Sequence, residues 1–219
     1  MGASTLSVLQ FLEAQGVSSS VQIQAALGLS QATVSRLLTQ LGDEVISLGA
    51  GRVTRYALYQ PIGSFAAQQP LWRVDEAGDV QRMGTLSLLA GSQIRVEAQG
   101  VDELYHASAQ APLPWYLSPL RVQGFLGRLL AQQLAALGLA ANPEIWSVEA
   151  VLLAALHTHD APGSLLLGAL APTVKPGVAT FSTHDPGAAL DRMAADLATT
   201  LPIGSSTGGE QPKFLAMDE

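Results

Sequence analysis

One side of the segment 31–41 is polar, and its side chains are of the kinds that contact DNA. The residues on that side are Gln31, Thr33, Ser35 and Arg36. Amides, hydroxyls and guanidinium groups on an exposed helix face can reach base edges and phosphates in the major groove. The apolar residues of the segment recur at helical spacing on the opposite side, which is typical of a face packed on a core. The pattern therefore predicts a recognition helix.

Two further cations lie in a predicted β-hairpin directly after this helix. The β-rich runs 45–48 and 52–58 are joined by the glycine-bearing turn 49–51. Arg52 and Arg55 belong to the second run. Guanidinium groups on such a hairpin meet the phosphate backbone or an adjacent minor groove. We therefore predict that the hairpin contributes to the same interface as the helix.

A third group of residues, within 201–214, has the composition of an anion-binding loop. The group comprises Ser205, Ser206, Thr207, Gly208 and Gly209, followed by Lys213. Backbone N–H groups of such a loop can form a nest for phosphate, to which a lysine adds a positive charge. The segment is not a Walker A loop, because a glutamate and not a lysine follows the last glycine. On composition alone, a flexible linker explains it equally well.

A cluster of histidine and aspartate invites a metal-site or catalytic interpretation. It comprises His157, His159 and Asp160, with His184 and Asp185 farther along. We favour a helix end, because cations suit the C-terminal end of a helix dipole and a Pro-Gly pair follows. The pattern offers no third ligand at a recognisable spacing, and a sequence without cysteine excludes a thiolate zinc site.

Three short helices and a hairpin would position the first two groups. Periodic apolar residues predict a helix over 4–14 that ends at Gly16. A second helix has Ser20 as its predicted N-cap and ends at Gly28, and Ser30 caps the third helix. The order helix, helix, tight turn, helix, hairpin resembles the winged helix-turn-helix family, which implies DNA binding.

The rest of the sequence predicts a small antiparallel sheet and then helices. Strand-like runs at 71–74, 80–89 and 94–97 alternate with turn signals. Helical periodicity follows over 123–137 and 145–157, and the apolar residues of the second helix, the first at position 145, are expected in the core. The expected fold class is α+β, with an N-terminal winged helix-turn-helix followed by a small antiparallel sheet with helices.

Four parts of the sequence follow from these patterns. Residues 1–60 form the predicted DNA-binding domain, and residues 61–70, which contain proline, glycine and glutamine without periodicity, form a linker. Residues 71–200 form a second domain, and residues 201–219 carry the glycine-rich segment.

Net charge is −7, which argues against a nucleic-acid partner unless the charge is unevenly distributed. The first 60 residues are neutral, since three arginines balance three carboxylates, so the excess of acid lies beyond them. Three arginines make few phosphate contacts. We therefore expect weak binding by one copy, and a dimer on DNA or a DNA-binding partner.

The N-terminus has no basic region before an apolar core, and the apolar stretches fall short of a membrane span. With no cysteine, nothing points to an oxidising compartment. A cytoplasmic protein without a membrane partner is expected.

Three segments together resemble the HipA-like serine/threonine kinases of toxin–antitoxin systems, and among them the YjjJ-like branch, which has its own N-terminal helix-turn-helix. The segments are GSSTGGEQPKF, LPWYLSPLRVQGFLGR and WSVEAVLLAAL. The resemblance implies that residues 71–200 are the N-terminal subdomain of such a kinase and residues 201–219 the start of its kinase lobe. It implies ATP and Mg²⁺ as cofactors of the full-length family, and an antitoxin as partner.

The resemblance also gives the glycine-rich segment a role. In the family this loop covers the nucleotide phosphates and carries a serine that the kinase phosphorylates on itself, which ejects the loop and stops activity. Ser206 takes that position here. A second loop hydroxyl, present in some members, falls on Gly208 and is missing.

The residues needed for phosphoryl transfer are missing from the sequence. Such a kinase uses an aspartate, an asparagine about five residues later, and a further Mg-binding aspartate before phenylalanine. The asparagine is Asn142, with Leu137 at the aspartate position, and none of the 5 phenylalanines follows an aspartate. We therefore expect the N-terminal part of a kinase, inactive alone and binding no cofactor by itself.

Three hypotheses for function remain. The first is the DNA-binding part of a HipA-like toxin kinase, which regulates its own operon or docks onto a separate kinase subunit. The second is a free-standing winged-helix transcription regulator whose second domain binds a ligand or a protein. The third is a kinase completed in trans by another chain, which ATP binding would distinguish from the first.

Overall fold

The computed structural model describes residues 4–76, 79–158 and 164–170, with shorter pieces at 179–181, 187–188, 191–192, 195 and 216–218. The helices are α1 (Thr5–Gln15), α2 (Ser20–Leu27), α3 (Gln31–Leu41), α4 (Gly124–Gln133) and α5 (Val148–His157). The strands are β1 (Ser18–Ser19), β2 (Val45–Leu48), β3 (Arg55–Leu58), β4 (Gln68–Val74), β5 (Val80–Leu89), β6 (Gln93–Ala98), β7 (Val101–His106), β8 (Leu165–Leu167), β9 (Ala179–Phe181) and β10 (Ala216–Asp218). This mixture of helices and mainly antiparallel strands is an α+β fold, as predicted.

The N-terminal unit consists of three helices packed together beside a small sheet. Strands are ordered β1-β3-β2 and are antiparallel, with Ser18 opposite Tyr56 and Val45 opposite Leu58. The helices bury one apolar cluster, formed by Val8, Leu12, Ile23, Val34, Leu37, Leu38 and Leu41. Four of these seven come from the periodic face of α3, which explains why that helix presents its polar face to solvent.

Glycines and serines set the ends of these helices. Gly16 and Gly28 end α1 and α2, and Ser30 caps α3, as predicted. The prediction of Ser20 as the second N-cap is wrong by one residue. Ser19 accepts a hydrogen bond from the backbone of Gln22, whose side chain bonds back to Ser19. This reciprocal capping box satisfies two free N–H groups at once, so the helix starts at Ser20.

The hairpin after α3 is shorter than predicted. Strand β3 begins at Arg55, because residues Gly51–Val53 form a 3₁₀ turn in which Thr54 donates its hydroxyl to the carbonyl of Gly51. The backbone of Arg52 therefore lies in this turn and not in a strand.

A five-stranded antiparallel sheet, ordered β7-β6-β5-β4-β8, forms the second unit. The three strands predicted there correspond to β4, β5 and β6, and two further strands extend the sheet. Strand β7 pairs with β6, with Leu104 opposite Arg95. Strand β8 pairs with β4, with Leu166 opposite Trp72. Two short strands, β9 and β10, pair in parallel.

Helices cover one side of this sheet and close the larger core. From α5, the residues Val148, Val151, Leu152 and Ala155 are buried, as predicted. Ile145, in contrast, is 71% exposed. The helix starts at Val148 with Ser147 as its cap, because the preceding residues Pro143–Ile145 form a 3₁₀ turn capped by Asn142.

The two units are joined by backbone pairing. Gln60 donates to the carbonyl of Leu88 and Ala90 donates to that of Leu58, so the end of β3 runs on beside the end of β5. Residues 61–70, predicted as a linker, contain Ile62, which is fully buried in the second core, and β4 begins within them at Gln68.

Candidate nucleic-acid interface

The exposed face of α3 carries three of the four helix residues predicted to contact DNA. Gln31, Ser35 and Arg36 are exposed. Thr33 is half-buried, and its hydroxyl lies 2.9 Å from the hydroxyl of Ser30, the cap of the helix. Its backbone N–H also donates to Ser30. The geometry therefore gives Thr33 a part in closing the helix N-terminus.

Sequence analysis missed the continuation of this face toward the C-terminus of α3. Thr39 and Gln40 are exposed beyond the predicted residues, as is Ala32 at the start of the helix. The sequence allowed this prediction, because residues four positions apart lie on the same helix face. Thr39 and Gln40 follow Ser35 and Arg36 at that spacing. The Thr39 hydroxyl donates to the Ser35 carbonyl at 3.0 Å, and the side chain of Gln40 is exposed.

A tight turn between α2 and α3 leads directly into the N-terminus of α3. Gly28 ends α2 in a left-handed conformation, with φ of 65°, which a residue with a side chain rarely adopts. Two residues later Ser30 caps α3, whose first residue is Gln31. The positive end of the α3 dipole thus lies beside the exposed side chain of Gln31.

The β2–β3 hairpin follows α3 in the sequence and carries an exposed arginine, Arg55. Arg55 is exposed on β3, opposite Ser19 on one side and Leu48 on the other. Val53, at the tip of the hairpin, is 74% exposed. The backbone of Arg52 lies in the turn at the tip of the hairpin. Its side chain is not among those that the structure describes.

Charge is segregated within the N-terminal unit. Its carboxylates, Glu13, Asp43 and Glu44, are exposed and line a depression beside α1. Arg36 and Arg55 do not line it. Asp43 and Glu44 follow the C-terminus of α3, which is 11 residues long and so places them about 15 Å along the axis from Gln31. The exposed start of α3 is thereby separated from these negative charges.

The second unit exposes an aromatic side chain that the sequence analysis did not single out. Trp115 is 85% exposed and stacks edge-on against Tyr116. The Tyr116 hydroxyl donates to Glu103 at 2.6 Å, and burial together with this bond raises the pKa of Tyr116. The hydroxyl therefore stays protonated across the physiological pH range.

Most of the remaining predicted site residues lie outside the described residues. The residues from 201 to 215, with Ser205, Ser206, Thr207, Gly208, Gly209 and Lys213, lie outside the described residues, as do His159, Asp160, His184 and Asp185. His157 ends α5 and contacts Phe65 edge-on, with ring centroids 5.3 Å apart. Within the part of the chain that the structure describes, no three His, Asp or Glu side chains converge to hold a metal ion.

A family model described as YjjJ-like toxin, middle domain, matches residues 65–174, which comprise the five-stranded sheet and its helices. The chain belongs to the YjjJ-like toxin family. It is 36% identical over 222 residues to Toxin YjjJ of Escherichia coli (strain K12), an alignment that covers 95% of this chain and 47% of that protein. This family member thus spans about half the length of its curated relative. No solved structure matches it.

Helix α3 and the hairpin precede the matched range, but they lie within the longer alignment, which takes in nearly the whole chain. No helix among the described residues is long and apolar enough to cross a membrane.

Proposed function

We propose that residues 4–59 are a winged helix-turn-helix that binds double-stranded DNA on behalf of a YjjJ-like toxin. The observation that supports this most is the exposed polar face of α3, which carries Gln31, Ser35, Arg36 and Gln40. An α-helix fits the major groove, where such side chains read base edges and contact phosphates. The adjacent hairpin adds Arg55 as a phosphate contact.

The charge of this unit implies weak binding by one copy. With three arginines to neutralise phosphates, the slope of log affinity against log salt is about −3 per copy. We propose that two copies, or one copy and a DNA-binding partner, occupy the DNA together, in the cytoplasm where the DNA is accessible. A dimer doubles the slope and aligns two recognition helices with two half-sites.

Single arginine substitutions test this proposal. Duplexes selected by the purified chain from a random library serve as the probe, and fluorescence anisotropy gives the affinity. Arg36→Ala and Arg55→Ala should each weaken binding roughly tenfold and reduce the salt slope by about one per copy. Arg73→Ala is the matched control, because Arg73 is exposed on β4 of the second unit. Equal affinity for all four proteins would overturn the proposal.

A kinase relationship is a second proposal, and it rests on the glycine-rich segment GSSTGGEQPKF. We infer that the family toxin is a HipA-like kinase with ATP, Mg²⁺ and an antitoxin as its partners, and that this chain is inactive alone because it lacks the Asp-x-x-x-x-Asn pattern. Calorimetry with ATP–Mg should give no binding, and labelled ATP should leave Ser206 unmodified. Tight ATP binding, or phosphate on Ser206, would contradict this.

A further inference from the structure

A groove of about 590 Å³ lies between α1 and the chain that leads from β3 into β4. Its floor is apolar. Leu6 is 59% exposed, and Leu9, Leu58 and Tyr59 are half-buried. Leu6 stands out because α1 buries Val8 and Leu12 against the other helices but leaves this leucine in solvent. We call this depression, with the carboxylates at its rim, the acidic groove.

Every charged residue that lines the acidic groove is a carboxylate. Glu13 on α1, and Asp43 and Glu44 after α3, line it, and none of its other lining residues is Lys, Arg or His. All the carboxylates of the first 60 residues are therefore gathered at one groove. Within the described part of the chain, none of the three forms a salt bridge.

The walls of the groove are held in place by hydrogen bonds. The backbone of Tyr59 donates to the Glu44 carbonyl at 3.0 Å, and the Gln68 side chain donates to the Tyr59 hydroxyl at 3.0 Å. Burial raises the pKa of that hydroxyl, so it remains neutral at the groove floor. A preformed groove loses little conformational freedom when a partner binds.

We propose that the acidic groove docks a cationic amphipathic helix of a partner protein. Leucine-type side chains at i, i+3 and i+4 would cover Leu6 and its neighbours, while Lys or Arg beside them would meet the three carboxylates. Such a partner removes exposed apolar surface and relieves the mutual repulsion of the rim. DNA does not fit, because its phosphates would face carboxylates.

A second copy of this chain does not supply such a helix from its described residues. Helices α1, α2 and α5 contain no Lys or Arg, and α3 and α4 contain one each, Arg36 and Arg128. The described helices therefore do not supply the complementary charge, and we assign it to another protein. This inference concerns a surface separate from the exposed face of α3, and it does not depend on DNA binding.

The probe for this proposal is a labelled 14-residue peptide with leucine at helical spacing and lysine elsewhere, measured by anisotropy with the full chain and no DNA. We expect saturable binding to the lysine peptide and none to the same peptide with glutamate in place of lysine. The variant Glu13→Gln/Asp43→Asn/Glu44→Gln should lose at least tenfold in affinity. Leu6→Asn should also weaken binding several-fold, because it makes the floor polar.

The matched control is Glu76→Gln/Asp79→Asn/Glu144→Gln, which removes the same charge from exposed positions outside the groove. It should bind within twofold of the wild type. An equal loss in both triple variants would overturn the proposal, since net charge alone would then explain binding. Unchanged peptide binding by the Leu6→Asn variant would also overturn the proposal. If the wild type sediments as a dimer and the Leu6→Asn variant as a monomer, the groove binds a second copy of the chain, and the proposal is again overturned. Circular dichroism establishes that each variant is folded.

Discussion

The start of α3 depends on two hydroxyls, those of Ser30 and Thr33. Ser30 accepts from the backbone of Thr33, and the two hydroxyls lie 2.9 Å apart. Both residue types also contact DNA in recognition helices, so the sequence pattern did not distinguish a capping threonine from a base-reading one. The role of each residue depends on the direction of its side chain. The side chain of Thr33 is half-buried beside the cap, whereas that of Ser35 lies in solvent.

Ser30→Ala should therefore lower the free energy of unfolding by about 1 kcal/mol, because it leaves the N–H of Thr33 without its acceptor. Urea denaturation measures the change. Ser35→Ala is the control, since Ser35 is exposed in the middle of the face, and its effect should stay below about 0.5 kcal/mol. Equal losses in the two variants would show that the cap contributes nothing of its own.

At the scale of elements, sequence reasoning succeeded where the signal is local. Glycine and serine at the helix ends located α1, α2 and α3 to within one residue, and the Ser19-to-Gln22 spacing was itself readable as a capping box. Sequence reasoning failed where the two strands that pair are far apart in the sequence. Strand β8 is three leucines whose place is set by β4, more than 90 residues earlier, and no local pattern encodes that pairing.

The contact between the two units could not be predicted from the sequence either. Gly16 at the end of α1 and Gly91 after β5 approach so closely that a Cβ on Gly91 would lie 3.0 Å from the Gly16 Cα. A close approach of this kind appears only once both units are folded. It requires glycine on steric grounds as well as for its positive φ of 76°.

Gly91→Ala should thus destabilise the protein more than a glycine substitution at a similar turn in open space. Gly100 also has positive φ, 87°, but a Cβ there would meet nothing within 4 Å. We expect Gly100→Ala to cost about 1 kcal/mol from its backbone conformation alone. Gly91→Ala should cost roughly 1 to 2 kcal/mol more, because overpacking adds to it. Urea denaturation of both variants gives the difference, and equal costs would contradict a tight join.

The molecule as a whole presents two surfaces of different chemistry. The exposed side of α3 with the hairpin is the surface that we propose for DNA, and the acidic groove is the surface that we propose for a cationic helix. They share no lining residue, so the two proposed ligands would not compete for the same side chains. For a member of the YjjJ-like toxin family, this arrangement would place a partner on the toxin while the toxin remains on DNA.

The most direct test of DNA binding is a contact map, and the absence of cysteine makes it simple. Ser35→Cys on α3 and Ser118→Cys in the second unit are both exposed and can each carry a single photoreactive maleimide. On irradiation with a selected duplex, the label at position 35 should cross-link to DNA and the label at position 118 should not. Cross-linking from position 118 alone, or equally from both, would contradict DNA recognition by α3.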